Sequence, residues 1–203
     1  MKKILLYGGS FNPPHLGHVH MAETATEQLR PDELLIMPAG IPPHKHMAEN
    51  TPAAYHRLKM AELAFGRIPG VRVSDWEINR HEKNYTVDTV EEICRRDPDA
   101  RVTLLMGTDM FFTVKNWYRG GDLLRKCDLA VLPRCRRDDR DRILSFGEEL
   151  KQQYGTEVVS LLAEPVEISS TRIRSEKREI LSMVPSGVRQ YIEENGLYGY
   201  ENQ

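Results

Sequence analysis

Lys3-Ile4-Leu5-Leu6-Tyr7 runs without a break into Gly8-Gly9-Ser10-Phe11-Asn12-Pro13-Pro14-His15-Leu16-Gly17-His18. The apolar run is short and closes on two glycines, the pattern of a buried strand, here Lys3 to Tyr7. From Gly17 onward, Val19, Met21, Ala22, Ala25 and Leu29 fall roughly on one helical face, and Pro31 lies just past the expected end. The stretch predicts a strand, a glycine-rich turn and a helix, in that order.

The same alternation continues outward. Glu33 to Met37 reads as a second strand, closed by Pro38-Ala39-Gly40, and residues 41 to 51 as a loop. Thr51-Pro52 reads as an N-cap followed by a first-turn proline, opening a helix over Tyr55 to Phe65. Val71 to Trp76 is a third strand, Thr86 to Arg96 a helix and Val102 to Met106 a fourth strand. Leu123 to Lys126 belongs to a short helix, Leu129 to Leu132 is a fifth strand, Ile143 to Tyr154 a polar helix and Val158 to Leu162 a sixth strand. The mixed-sign segment Arg134 to Arg142 reads as a solvated loop. Ser186 to Gly196 reads as a helix with a serine cap and a glycine stop, packing Val188, Tyr191, Ile192 and Leu197 inward. Strands alternating with helices predict an α/β fold, a doubly wound, mostly parallel sheet covered on both faces. A single domain over 1–203 is expected, with a sheet-helix core over 1–165 and a helical part over 166–203.

Composition narrows the function. The chain has 203 residues, 40% apolar and 29% charged, the balance of a globular protein. Its longest apolar stretches, Ile4 to Tyr7 and Leu34 to Met37, are far too short to span a bilayer. Gly8 and Gly9 end the N-terminal apolar run too early for a signal peptide, so no export is expected. Cys94, Cys127 and Cys135 lack CxxC spacing and read as thiols of a reducing cytoplasm. A net charge of -2 argues against a sequence-independent nucleic-acid binder. A small anionic substrate fits if its cationic contacts are concentrated in one place.

The turn after the first strand is such a place. Ligands of open parallel sheets sit beyond the carboxyl ends of strands. Gly8 and Gly9 let backbone approach a ligand closely, Ser10 and Asn12 add hydrogen-bonding groups, and Pro13-Pro14 stiffens the turn. Gly17 and His18 open a helix whose free N–H groups favour an anion. His15 and His18, three residues apart, face one point if the turn is helical. The turn carries neither the GxxxxGK[ST] nor the GxGxxG pattern. No Cys or acidic partner stands at zinc spacing, and His20 would point away from His18, so no protein-held metal is expected. Downstream, Ser169 and Ser170 are suited to cap a helix near Thr171, with Arg172 and Arg174 as either solvent-facing charges or anion contacts.

The string His15-Leu16-Gly17-His18 resembles the nucleotidyltransferase superfamily marked by a HxGH motif. A second signature of that superfamily is matched by Ile168-Ser169-Ser170-Thr171-Arg172-Ile173-Arg174. Between them, Pro38 to Lys45, Asn84 to Thr89, Met106 to Met110 and Asn116-Trp117 resemble the nicotinate-nucleotide adenylyltransferase branch, as does the stretch Val188 to Tyr198. The resemblance implies a Rossmann-like nucleotidyltransferase fold with a small C-terminal helical extension. It implies transfer of the adenylyl group of ATP to nicotinate mononucleotide, giving deamido-NAD and pyrophosphate, in NAD biosynthesis. His15 and His18 are then the catalytic pair, as donors to the phosphates. Gly8, Gly9, Ser10, Phe11, Gly107, Ser169, Ser170, Thr171 and Arg174 are implied ATP contacts. Asn12, Lys45, Thr86, Asp109, Trp117 and Tyr118 are implied contacts of the mononucleotide. Trp117 offers a flat face for a pyridine ring, the backbone near Thr86 and Tyr118 donors for a carboxylate, and Asp109 an acceptor for ribose hydroxyls.

Mg²⁺ is implied with ATP as co-substrate, held mainly by phosphates and water. The implied partners are ATP and nicotinate mononucleotide, with no nucleic acid and no membrane, in the cytoplasm. A homo-oligomer is left open. The alternatives are nicotinamide mononucleotide or pantetheine phosphate as acceptor in a sister enzyme, and a nucleotide-sensing module without turnover.

Overall fold

The structure is a computed structural model and describes residues 1–41, 51–80, 82–133, 137–163, 168, 170, 174 and 180–200. Its elements alternate as the sequence predicts: β1 (Lys3–Gly9), α1 (Leu16–Leu29), β2 (Glu33–Pro38), α2 (Ala54–Phe65), β3 (Val71–Val73), α3 (Thr86–Arg96) and β4 (Arg101–Gly107). There follow α4 (Thr108–Phe111), α5 (Gly120–Lys126), β5 (Asp128–Leu132), α6 (Arg137–Tyr154), β6 (Val158–Ser160), α7 (Ile180–Met183) and α8 (Ser186–Glu194). The strands form one sheet in the order β3-β2-β1-β4-β5-β6. β1 pairs with β4, β4 with β5 and β5 with β6, all parallel. The order reverses beside β1, the topology of the doubly wound fold, in which ligands sit past the carboxyl ends of the strands. Among the described residues no helix is long and apolar enough to cross a membrane.

The chain interleaves between two compact units. One comprises Met1–Tyr7, Glu23–Leu35 and Tyr85–Val166. Here Ile4, Leu5 and Leu6 of β1 and Leu129, Ala130 and Val131 of β5 are buried side by side in sequence. A strand covered on both faces has no solvent side, so its apolar run is continuous rather than alternating. Helix α3 packs on α5 and β4, and α6 on α5 and β6. Asp88 lies in the first turn of α3 and Arg95 and Arg96 in its last, which complements the helix dipole. The other unit comprises Gly8–Ala22, Ile36–Asn84 and Glu167–Gln203. Its core is α2 packed on β3 and α8, with Met60, Ala61, Phe65, Val188 and Ile192 fully buried.

Several boundaries move for identifiable reasons. Helix α2 begins at Ala54 with Ala53 in the N-cap position and no side-chain cap. Thr51 is therefore no cap; its hydroxyl accepts instead from Asn12 Nδ2 at 2.9 Å. Ser186 is likewise the first residue of its helix, with Pro185 in the cap position, while Gly196 does take the left-handed conformation (φ 59°) after the helix. β3 stops at Val73 because the chain turns at Asp75, whose carbonyl accepts from Asn79 N, and the Trp76 ring lies under Arg80 at 4.7 Å. The segment read as a solvated loop is helical from Arg137, where it forms the opening turns of α6, which buries Ile143 and Leu150 further along. Residues 42–50, most of the predicted loop, lie outside the described residues.

Candidate functional site

In the second unit, the loop after β1 is built around two imidazoles. The His15 carbonyl accepts from His18 N at 2.9 Å and from Val19 N at 3.2 Å, which starts α1. That turn brings the two rings face to face, with centroids 3.6 Å apart and planes 21° apart. The backbone N–H of His15 donates to His18 Nδ1 at 3.2 Å, and the backbone N–H of His18 donates to His15 Nδ1 at 3.3 Å. An Nδ1 that accepts carries no proton, so in the neutral ring the proton sits on Nε2. Both imidazoles are thereby fixed as Nε2–H donors. Gly17 makes the stack feasible, because a Cβ there would lie 3.2 Å from two atoms of the His15 ring.

The side chains of Phe11 and Asn12 are both buried. The Phe11 side chain is 1% exposed. Its ring meets His18 edge-on at 5.3 Å and Phe65 edge-on at 5.2 Å. It supports His18 from the core. Asn12 is 4% exposed, and its amide is engaged inside the chain. Oδ1 accepts from the Tyr198 hydroxyl at 2.7 Å and Nδ2 donates to Thr51. The Asn12 carbonyl accepts from Arg174 at 2.7 Å, and the Pro13 carbonyl accepts from the Ser170 hydroxyl at 3.3 Å. Ser170 and Arg174 of the downstream signature are thus docked on the first loop. Lys45, Ser169 and Thr171 lie outside the described residues.

Two members of this cluster escaped the sequence reading. Arg57, on the inward face of α2, donates to the carbonyls of Ser10 at 2.9 Å and Gly40 at 3.1 Å. Its burial lowers the guanidinium's pKa, and a nearby Tyr198 partly offsets that. The usable signal was an arginine in register with Met60, Ala61 and Ala64 on the apolar face of a helix. Tyr198, a residue with positive φ (59°), is the other. Burial pushes its hydroxyl far above the ordinary tyrosine range, so it stays a donor to Asn12. No local pattern announced it.

The first unit holds the remaining expected residues. Gly107 closes β4 and occupies the cap position of α4, whose first turn carries the exposed Asp109. Thr86 is the first residue of α3, so its backbone N–H is one of the free donors at that helix start. The Tyr85 ring, in the preceding cap position, lies 4.1 Å from the Tyr118 ring, which is 50% exposed. Trp117 is half-buried and donates from Nε1 to the Thr113 hydroxyl at 3.2 Å. Arg119 anchors this segment to α3 through both oxygens of Glu91, at 3.1 and 2.8 Å, and reaches Asp122 at 3.0 Å. Those hydrogen bonds hold the Glu91 carboxyl below its ordinary value. Tyr85 was not singled out from the sequence, where it is one of eight tyrosines.

The sequence profile described as cytidylyltransferase-like matches residues 6–176. A protein of Gemmatimonas aurantiaca is 39% identical over 196 residues, covering 95% of this chain and 90% of its own length. One of Carboxydothermus hydrogenoformans is 35% identical over 199 residues, covering 97% of this chain and 98% of its own. Both carry the name "probable nicotinate-nucleotide adenylyltransferase". Among solved structures, Plasmodium falciparum nicotinic acid mononucleotide adenylyltransferase complexed with NaAD matches with a TM-score of 0.77 over all of both chains. At 16% identity that likeness speaks for the fold alone.

Proposed function

The chain belongs to the cytidylyltransferase-like family, in its nicotinate-nucleotide adenylyltransferase branch, and we propose that it joins nicotinate mononucleotide to the adenylyl group of ATP, releasing pyrophosphate. The observation that carries this reading is the His15–His18 pair, two stacked imidazoles at the start of a helix, each accepting at Nδ1 from the other's main chain. Full-length relatives named for this activity support the choice of acceptor.

The attacking group is a phosphate oxygen of the mononucleotide. A phosphate monoester has a second pKa of about 6, so at neutral pH it arrives ionised and needs no general base. Its oxygen forms a bond to the α-phosphorus of ATP while the bond to the β-bridging oxygen breaks, and the electron pair leaves with pyrophosphate. Charge grows on the leaving oxygens. The Nε2–H groups of His15 and His18, the Arg174 guanidinium and the positive end of the α1 dipole would be what meets it. Catalysis is then positioning and charge stabilisation, with no covalent enzyme intermediate. The backbone of Gly8, Gly9, Ser10 and Gly107 would line the nucleotide, with Lys45, Ser169 and Thr171 as further phosphate contacts.

For the acceptor, the Tyr118 and Trp117 rings would hold the pyridine, the Thr86 N–H its carboxylate and Asp109 the ribose. A carboxylate gains from the free N–H groups at the start of α3 what a neutral amide does not. Among the described residues no group of three His, Cys, Asp or Glu side chains converges as a metal site. A Mg²⁺ would be held mainly by the triphosphate oxygens and water, where it would neutralise phosphate charge. Product formation in NAD biosynthesis and a cytoplasmic setting complete the proposal.

Pyrophosphate release tests it. Turnover is expected with ATP plus nicotinate mononucleotide, and not with ATP alone. Turnover with pantetheine phosphate but not with the mononucleotide would move the protein to a sister activity.

A further inference from the structure

Arg57 is 1% exposed and is the largest fully buried side chain among the described residues. Among the described residues its hydrogen-bond partners are neutral: the carbonyls of Ser10 and Gly40, which lie in the loops after β1 and β2. Its Nε has no partner among the described residues. No carboxylate among the described residues lies within ion-pair distance of it. Tyr198, the nearby titratable group, offers a hydroxyl rather than a carboxylate.

A buried, uncompensated cation costs several kcal/mol relative to an apolar side chain of like volume. Tying two carbonyls together needs donors, not a charge. The feature that makes sense of a full charge here is an anion arriving nearby, since in a low-dielectric setting a fixed cation attracts it strongly. Arg57 reaches the same loop that carries His15 and His18, at the carbonyl of Ser10, the residue directly after the glycine pair. We propose that Arg57 is a positioning residue of the phosphate site, which ties the first loop to the Gly40 turn and lends its buried charge to the bound polyphosphate. The inference deepens the adenylyl-transfer reading and rests on it for the identity of the polyphosphate.

Inorganic tripolyphosphate and adenosine, titrated by calorimetry into wild type and into R57M, test it. R57M is expected to bind tripolyphosphate at least about tenfold more weakly, a loss of about 1.4 kcal/mol, with adenosine affinity unchanged. Equal tripolyphosphate affinity in folded R57M overturns the proposal, and so does a parallel loss of tripolyphosphate and adenosine. If R57M does not fold, R57K and R57Q decide. Both lose the guanidinium fork, but only R57K keeps the charge, so tighter tripolyphosphate binding by R57K is expected and equal binding overturns the proposal. Wild-type pyrophosphate release with nicotinate mononucleotide is measured alongside. Its absence would sink the acceptor assignment while leaving the R57M contrast intact.

Discussion

The backbone N–H of His15 donates to Nδ1 of His18, and the backbone N–H of His18 donates to Nδ1 of His15. Each ring is oriented by the other's main chain. The three-residue spacing is what permits this, because one helical turn separates the two peptide groups. This arrangement sets both tautomers, with the proton of each neutral ring on Nε2.

His18→Ala removes one of the two Nε2–H groups and leaves Phe11 and Phe65 packed beneath. Turnover is expected to fall by about 10²–10³-fold, the usual cost of one oxyanion donor, with an unchanged circular dichroism spectrum. A folded variant with a near-normal rate of pyrophosphate release would remove His18 from the catalytic role.

Tyr198→Phe deletes the donor to Asn12 Oδ1. A buried amide oxygen then lacks its partner, so a loss of about 1–3 kcal/mol is expected in urea denaturation. Because the Asn12 carbonyl also receives Arg174, the activity should fall along with stability. Unchanged stability would mean that the C-terminal segment does not brace the first loop.

Gly40→Ala meets backbone. Its Cβ would lie 2.2 Å from the Glu77 carbonyl oxygen and 2.7 Å from Asn84 Oδ1. The turn must shift, at a cost of about 1–3 kcal/mol, and the Gly40 carbonyl that receives Arg57 shifts with it. Thermal unfolding measures the cost, and KM for ATP reports the displaced arginine.

Burial pushes the Cys127 thiol up from 9.0 to about 12. The native state then keeps a proton that the unfolded chain releases above pH 9. The stability from this group is full below pH 9 and is lost as pH climbs from 9 towards 12. At pH 8, iodoacetamide should modify the half-buried Cys94 well before Cys127, as read by peptide mass mapping. Equal labelling in the folded protein would contradict the burial argument.

Much of the fold was legible along the chain. Helix α3 was placed to the residue, because Thr86 to Arg96 carries a strong helical periodicity between a polar start and a basic end. The strands were found as apolar runs, and their ends erred by only a few residues. Boundaries failed where a polar side chain had a distant partner. Thr51 looked like a cap but is the acceptor of Asn12, a residue 39 positions away.

The same division runs through the site. The sequence by itself determined the strand-turn-helix unit, the paired histidines and the downstream signature, since each of these is set by spacing within a turn or two. Only the tertiary structure decided that Phe11 and Asn12 face inward, that Arg57 is buried on neutral carbonyls and that Tyr198 closes on Asn12. Arg57 lies 47 positions from Ser10, and Arg174 and Tyr198 lie 162 and 186 positions from Asn12. Periodicity carries no information over such separations. Those contacts form because buried polar groups need hydrogen-bond partners, and folding supplies them from distant parts of the chain.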